Sequence, residues 1–320
     1  MARLAVGSNQ YKTRAGSGGL VADGGPNLMA QAECVRRCGE VWGTGCRTKV
    51  YPPDYSHHSH GLLGNRTVAA ASPGCPPSLL QQLYERDDFT VQLAVLGNPS
   101  CPPHLIHKGA LFEQRHRREA VAKNPACPSD VLRQLAQDSA WLVRQEVARR
   151  PDVSEDIQQL LLEHGGPHDL PALAANPACT PRILAALSVN TDDKARRAVA
   201  GNPCAPPPLL WKLAEDARWQ VRRAVAGNPN SEDTTLVVLA SDQSQEVRRQ
   251  VIEHPRCPVR AVEVAALDAD SWVRQMAARH PQCPPEALVQ LLADEHPAVR
   301  ACAQGNPGLP EEYRQLQRLS

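Results

Sequence analysis

A proline recurs along this 320-residue chain every 26 residues, across ten copies and without a slip. Chance does not produce such a register, and a fixed period of this size is the signature of a repeat architecture. The repeat prolines are Pro73, Pro99, Pro125, Pro151, Pro177, Pro203, Pro229, Pro255, Pro281 and Pro307. We therefore expect like-sized units that stack on one another, with each unit contacting only its neighbours.

Each copy carries the signals of two short helices. In one copy, Val221 and Val225 follow the spacing of a single helical face. Asn228 then precedes the proline, which disfavours helical backbone, so the first helix ends there. In the preceding copy, Leu209 and Leu213 give the helix after the proline its apolar face. Helices this short cannot bury their faces alone, so the sequence predicts an all-α solenoid of about ten two-helix repeats.

These repeats resemble the leucine-rich repeat variant proteins. The resemblance rests on the Asn-Pro-x-Cys-Pro-Pro run at 98–103, the Val-Arg-x-Ala-Val-Ala stretch at 221–226 and the Leu-Leu-x-x-Leu-Ala stretch at 209–214. It covers about residues 64–320. It implies alternating α- and 3₁₀-type helices coiled into a right-handed superhelix, and, in the founding members, a cysteine-ligated iron–sulfur cluster ahead of the repeats. It implies no agreed biochemical activity.

Two copies depart from the repeat pattern. Helix breakers stand where a first helix belongs in the stretch 163–171, and Gly109 replaces the leucine of other copies. We expect decay of the repeat at both places, with a bend or a contact surface as the alternatives. The last helix, 311–319, is more polar than its counterparts, and we interpret it as an end cap.

Ahead of the repeats the chain changes character. Residues 1–26 are rich in Gly and Ser and predict a disordered basic arm, and residues 27–63 form a segment that contains Cys and His. Residues 1–66 hold eight Lys and Arg against four Asp and Glu, whereas the whole chain carries a formal charge of only +1. We expect no signal peptide and no membrane span, and therefore a cytoplasmic protein with reduced cysteines.

The segment 27–63 is a candidate metal site. Cys34 and Cys38 are four residues apart and would share one face of a helix, and Cys46 follows after a glycine-rich stretch. Three thiols with nearby histidines suit zinc or an iron–sulfur cluster such as 4Fe-4S, although this spacing matches no standard four-ligand zinc pattern. The fourth ligand would be Cys75, a histidine, or missing. The alternative is that these thiols pack against the first repeat. The nearby histidines are His57, His58 and His60.

Two further columns of the repeat are interpreted as structural. Six cysteines stand two residues after the repeat proline, and other copies place small apolar residues there, which indicates a compact buried side chain. Six copies carry Asn directly before the proline, where an amide can satisfy backbone groups at the helix end and between copies. The cysteines are Cys75, Cys101, Cys127, Cys179, Cys257 and Cys283.

An arginine column stands seven residues before the repeat proline. Its members could form a stripe that binds anions, such as nucleic-acid phosphates, or a partner. In five copies, however, an Asp precedes the arginine by six residues, as Asp242 precedes Arg248. We favour the second interpretation, an Asp–Arg pair that bridges the turn into each first helix. A second arginine follows directly in three copies: Arg197, Arg223 and Arg249. The candidate stripe is Arg118, Arg144, Arg196, Arg222, Arg248, Arg274 and Arg300, with Arg66 at the same position in the first copy.

No catalytic constellation appears in the sequence. The chain has no phosphate-binding glycine loop after a strand, no HExxH and no nucleophile set beside a base. The prediction is a non-enzymatic helical scaffold that binds a protein partner. The alternatives are a redox or metal-sensing role for the Cys/His segment and nucleic-acid binding by the arginine column with the basic arm.

Overall fold

A computed structural model describes residues 66–86 and 88–319, with side chains as far as residue 315. Within these residues the fold is all-helical, and no strand occurs. The prediction of an all-α repeat solenoid is confirmed. The arm 1–26 and the Cys/His segment 27–63 lie outside the described residues, so both remain predictions.

Helices alternate with short turns along the whole described array. Residues 66–71 are helical and lead into Pro73. The helices that follow are α1 (Pro77–Arg86), α2 (Phe89–Leu96), α3 (Pro103–Ala110), α4 (Arg115–Lys123), α5 (Ser129–Leu135), α6 (Trp141–Ala148), α7 (Glu155–His164), α8 (Leu170–Ala175), α9 (Pro181–Leu187), α10 (Asp193–Gly201), α11 (Pro207–Leu213), α12 (Trp219–Ala226), α13 (Asp233–Leu239), α14 (Gln245–Ile252), α15 (Val259–Ala266), α16 (Ser271–Arg279), α17 (Pro285–Leu291), α18 (Pro297–Gly305) and α19 (Glu311–Leu319). Even-numbered helices precede a repeat proline and are called first helices; odd-numbered ones follow it and are called second helices.

A tight turn at each repeat proline separates the two helices. Beside Pro229, the amide of Asn228 donates to the carbonyl oxygen of Val225, and the amide of Ser231 donates to that of Asn228. Second helices α1, α3, α9, α11 and α17 then begin with proline, which suits a position where no backbone donor is needed.

The second helices are α-helical, and 3₁₀-type bonds tighten their ends. In α5 the amide of Ala136 donates to the carbonyl four residues back, whereas those of Gln137 and Asp138 donate to carbonyls three residues back. The α/3₁₀ character implied by the resemblance is thus confined to helix ends and turns in this part of the chain.

The core is one continuous apolar layer between the two rows of helices. Val221 and Val225 of a first helix and Leu210 of the preceding second helix are fully buried. Consecutive first helices approach one another more closely than consecutive second helices do.

The two irregular copies keep the stack intact. Helix α8 has six residues because residues 167–169, which stand where the neighbouring first helices have their first turn, form a non-helical turn. At Gly109, side chains of Leu96 and Val121 fill the space that a larger residue would take: an added Cβ would lie 2.7 Å from a methyl group of each.

Candidate functional site

The asparagine column ties each repeat to the one before it. Asn228 Nδ2 donates to the carbonyl oxygens of Ala200, at 2.6 Å, and Asn202, at 2.9 Å, which lie one repeat earlier. Its Oδ1 accepts from the amide of Asn230 at 2.8 Å. The other members, Asn98, Asn124, Asn176, Asn202 and Asn306, bond in the same way. These buried amides are therefore structural, as the sequence indicates.

Other residues occupy this column in four copies: Ser72, Arg150, His254 and His280. Arg150 Nη1 donates to the carbonyl oxygens of Ala122 and Asn124, at 3.0 and 2.5 Å. His254 is buried, with Nε2 3.1 Å from the carbonyl oxygen of Asn228. His280 accepts the amide of Gln282 through Nδ1 at 3.2 Å, and burial lowers its pKa.

The arginine column also connects successive repeats inside the array. We call each such series of contacts, of the asparagines and of the arginines, a ladder. Arg222 Nε and Nη2 bind both carboxylate oxygens of Asp242 at 2.6 and 2.8 Å, while Nη1 donates to the carbonyl oxygen of Asp216 at 2.7 Å. The two side chains are 15% and 6% exposed. The same bidentate pair joins Arg118 to Asp138, Arg196 to Asp216, Arg248 to Asp268 and Arg274 to Asp294.

This pairing differs from the one expected between residues six apart. Each Asp carboxylate binds the arginine twenty residues before it, in the preceding repeat. Its backbone carbonyl, and not its carboxylate, receives the arginine six residues later, as Asp242 receives Arg248 at 2.8 Å. The ladder therefore joins repeats and does not close a single turn.

Most arginines of the candidate stripe are used inside the array by these ion pairs. Six of its guanidinium groups, from Arg118 to Arg274, are bound to carboxylates and largely buried. Arg300 donates to the carbonyl oxygens of Asp294 and Glu295 at 2.7 and 3.0 Å, and has no carboxylate partner among the described residues.

The irregular copy preserves the ladder with a residue that the repeat pattern did not single out. Arg144 pairs with Asp169, 25 residues on, with Nε–Oδ2 at 2.8 Å and Nη2–Oδ1 at 3.2 Å. Asp169 is buried and also accepts the amide of Gly166 at 3.1 Å. Only the fold reveals this partner, because the 26-residue register places His164 at the Asp position.

The six column cysteines are buried, as predicted. Burial raises the pKa of the Cys101, Cys127 and Cys179 thiols to about 12 and that of Cys257 and Cys283 to about 11. These thiols stay protonated near neutral pH, and none has the exposed, cationic surroundings of a reactive cysteine.

The candidate metal ligands fall in two parts of the chain. Cys34, Cys38 and Cys46 lie outside the described residues. Cys75 lies in the turn of the first repeat and is buried with the rest of its column. Across 66–86 and 88–319, no group of three or more His, Cys, Asp or Glu side chains is placed to hold a metal ion.

The outer surface of the first helices carries the residues that neither ladder uses. We call this surface the front face; its central position stands six residues before the repeat proline. That position changes chemically from repeat to repeat: Leu93, Glu119, Gln145, Pro171, Arg197, Arg223, Arg249, Gln275 and Ala301.

A cleft opens in the front face beside the irregular copy, between α6 and α8. The rings of Trp141 and His168 stack at its edge, 4.8 Å apart between centroids. Gln145 Nε2 donates to the carbonyl oxygen of His168 at 3.0 Å, which joins the two helices. The cleft is lined by Gln145, Arg149, His168, Pro171, Ala172, Ala175, Asn176 and Pro177.

A group of cations lies on the next two first helices, α10 and α12, and at the N-cap of α12. We call Lys194, Arg197, Arg218 and Arg223, together with Trp219, the basic patch. All five side chains are exposed. The part of the chain that the structure describes provides no ion pair or side-chain hydrogen bond for the four cations, in contrast to the ladder arginines beside them.

No described helix combines the length and apolarity that a membrane crossing requires.

Comparison with known proteins identifies the repeat. The model of the leucine rich repeat variant family matches residues 115–140 and 272–296. A solved structure described as a leucine-rich repeat variant with a novel repetitive structural motif shares the fold, with a TM-score of 0.56 and 22% identity, over 81% of this chain and 99% of that one.

Two further solved structures are more distant. They are the Escherichia coli protein YibA, with a TM-score of 0.32 and 14% identity over 79% of this chain and 97% of that one, and a designed armadillo repeat protein, with 0.15 and 13% over 78% and 93%. No curated protein sequence matches the chain.

The matched segments contain the contacts that recur throughout the array. Residues 115–140 include Arg118 and Asp138, one of the inter-repeat pairs, and residues 272–296 include Arg274 and Asp294, another. The same pairing continues between the two matches, and the turn and the buried column continue on both sides of each match. Two repeats of this chain therefore match the leucine-rich repeat variant model, and the array shares its fold with a solved structure of that description.

Proposed function

We propose that this protein is a non-enzymatic scaffold whose front face binds a protein partner. One observation carries the proposal: the polar residues that recur in most repeats are internal, whereas the front-face residues differ between repeats. Asn228 and Arg222 bind neighbouring repeats, while the adjacent Arg223 is exposed. A surface whose side chains differ from repeat to repeat, on repeats held together by the same internal contacts, suits recognition of one extended ligand, because each repeat contributes its own contact.

A photo-crosslinking experiment tests this proposal. A photoreactive residue replaces Gly201 on the front face, where an added Cβ meets no atom within 4 Å. The matched control carries the same residue at Lys212, exposed on a second helix. Irradiation in the producing cells should give a specific protein adduct from the front face alone. Equal adducts from both positions, or none from either, would contradict the proposal.

We also propose a metal site in the Cys/His segment, as a second and separate candidate. Cys34, Cys38 and Cys46 place three thiols within thirteen residues, a donor set that suits iron–sulfur or zinc. Cys75 is a poor fourth ligand, because it packs in the repeat core with its column. Anaerobic purification, metal analysis and absorption spectroscopy of the full chain and of a Cys34→Ser/Cys38→Ser variant test this site. Equal metal content in both would count against it.

Nucleic-acid binding by the arginine column forms no part of the proposal. That alternative requires free guanidinium groups, and six of the seven are bound to carboxylates.

A further inference from the structure

In two neighbouring repeats, two arginines follow one another in the sequence, and one is ion-paired inside the array while the other is exposed. Arg196 turns inward and binds Asp216, with Nε–Oδ2 at 2.6 Å, whereas the next residue, Arg197, is exposed. Arg222 and Arg223 repeat this arrangement one layer later. The exposed member of each pair has no carboxylate partner within the described ranges. The fold thus neutralises one arginine of each pair and leaves the other facing solvent.

In a third repeat, the arginine at the position of Arg197 and Arg223 is neutralised by an ion pair. Arg249 Nη2 binds Asp270 Oδ2 at 2.7 Å, and its guanidinium lies 5.2 Å from the ring centroid of Trp272. Asp270 belongs to the following repeat and stands eleven residues before that repeat's proline. The carboxylate that neutralises the front-face arginine therefore comes from the next layer.

The basic patch lacks that carboxylate at the equivalent positions. The residue that corresponds to Asp270 is Arg218 for Arg197, and Ser244 for Arg223. Arg218 therefore places a like charge where an ion pair forms elsewhere in the array. Repulsion between these like charges raises the free energy of the protein without its ligand. An acidic ligand that binds between them removes this repulsion.

The surroundings limit the size of the ligand. On one side, the front-face residues of α8 are Pro171, Ala172 and Ala175, which carry no charge. On the other side, Glu246 lies 3.6 Å from Arg249, and Glu253 is exposed. Asp192 caps α10 and Asp193 begins it, yet the patch keeps a net positive charge even with both counted. The positive surface is therefore confined to two layers.

Two layers of helices, roughly 10 Å apart, give a surface about 20 Å long, which accommodates about six residues of an extended peptide. Trp219, 38% exposed, adds an apolar contact within the patch. A nucleic-acid strand that followed the stack in either direction would leave the positive surface, and would meet the exposed Glu253 on one side. These dimensions favour a short acidic peptide over a nucleic acid.

We infer that the basic patch binds an acidic, extended peptide segment of a protein partner. This inference rests on the proposed scaffold function and adds the chemistry of the ligand. Arg197, Arg218 and Arg223 bind its carboxylates, and Trp219 contacts an apolar residue between them. Since these contacts are exposed, affinity falls as ionic strength rises.

Fluorescence anisotropy of the full chain with a labelled peptide of glutamates around a central leucine tests the inference. A peptide with glutamine in place of glutamate is the probe control. The decisive variant is Arg218→Asp, which supplies Arg197 with the carboxylate that Arg249 already has. It should weaken binding by at least about tenfold while leaving the melting temperature unchanged or higher. Unchanged affinity would overturn the inference.

A charge-matched pair of variants separates the patch from general electrostatics. Arg197→Glu/Arg223→Glu should abolish binding, whereas Lys212→Glu/Arg260→Glu, which reverses two exposed cations on second helices, should retain it. Equal loss in both would contradict a local site. Stronger, Arg218-dependent binding of single-stranded oligothymidylate than of the acidic peptide would assign the patch to nucleic acid instead.

The two proposals fail in different ways. A protein adduct from position 201, with no affinity for the acidic peptide, would overturn the ligand chemistry and leave the scaffold function standing. Peptide affinity without any adduct in cells would instead contradict the scaffold function.

Discussion

Arg222 and Asp242 lie in consecutive repeats and form a bidentate ion pair, with Nε–Oδ2 at 2.6 Å and Nη2–Oδ1 at 2.8 Å. The carboxylate also accepts the amide of Ser244 at 2.7 Å, so both partners are fully engaged. Because the pair is largely buried, removal of one partner leaves an uncompensated charge in the interior. The ladder therefore controls how adjacent repeats hold together.

Asp242→Ala should lower the free energy of unfolding by about 3 kcal/mol, because it leaves Arg222 buried without its partner. Urea denaturation followed by circular dichroism measures this loss. The matched control is Asp233→Ala, an exposed acid on a second helix, which should change stability by less than about 0.5 kcal/mol.

A double-mutant cycle identifies the partner of Asp242. The cycle with Arg222→Ala should give a coupling of at least about 1 kcal/mol, and the cycle with Arg248→Ala a much smaller one. Arg248 contacts only the backbone carbonyl of Asp242, which the substitution keeps. A larger coupling energy with Arg248 than with Arg222 would instead support the pairing between residues six apart.

Acid should weaken the array through the ladder carboxylates. The hydrogen bonds from Arg274 hold the pKa of Asp294 below its ordinary value. Burial raises the pKa of Asp216, but the hydrogen bonds from Arg196 and the Arg218 amide outweigh it, so that pKa is also lowered. Their contribution is complete above the unfolded-state pKa of about 3.9 and is lost as the pH falls through the lower folded-state values.

Chemical denaturation between pH 7 and pH 2 should therefore show little change from this source above about pH 5 and a steep loss below about pH 4. Asp294→Asn should be less stable at neutral pH and should lose less stability on acidification. A variant that loses as much as the wild type in acid would argue against this role of Asp294.

His280→Asn should stabilise the protein by about 1 kcal/mol at pH 8, because Asn bonds two carbonyls of the preceding repeat at this column elsewhere. Burial lowers the pKa of His280. Below about pH 6.5 the unfolded chain takes up a proton that the folded histidine resists, so the wild type loses stability. The gain should therefore be larger at pH 5.5. Thermal unfolding at both pH values measures it, and an equal or smaller gain at pH 5.5 would contradict the argument.

Thiol reagents should distinguish the buried cysteines of the column from the exposed Cys204. Cys204 is exposed and should react with maleimide at pH 8 in the native protein. Cys101, Cys127 and Cys179 are buried, with pKa values raised to about 12, and should react only after unfolding. Mass spectrometry of proteolytic fragments locates each label. Native labelling of Cys127 as fast as that of Cys204 would contradict its burial.

The repeat frame is predictable from sequence because it depends on local signals. The proline register, the apolar spacing of Val221 and Val225 and the small residues of the cysteine column each fix one step of the two-helix unit. The role of Asn228 also follows, since an amide beside a helix-ending proline meets unpaired backbone groups. The handedness of the superhelix, by contrast, stays a prediction.

The partner of each ladder arginine could be decided only by the tertiary structure. Asp242 stands six residues before Arg248 and twenty after Arg222, and these separations add to the repeat length, so both pairings fit the same period. Stacking brings the carboxylate to Arg222 and leaves Arg248 only the carbonyl. Stacking also recruits Asp169 in the irregular copy and exposes Arg197 beside the ion-paired Arg196. A period determines which residues are equivalent; distances between layers determine which of them touch.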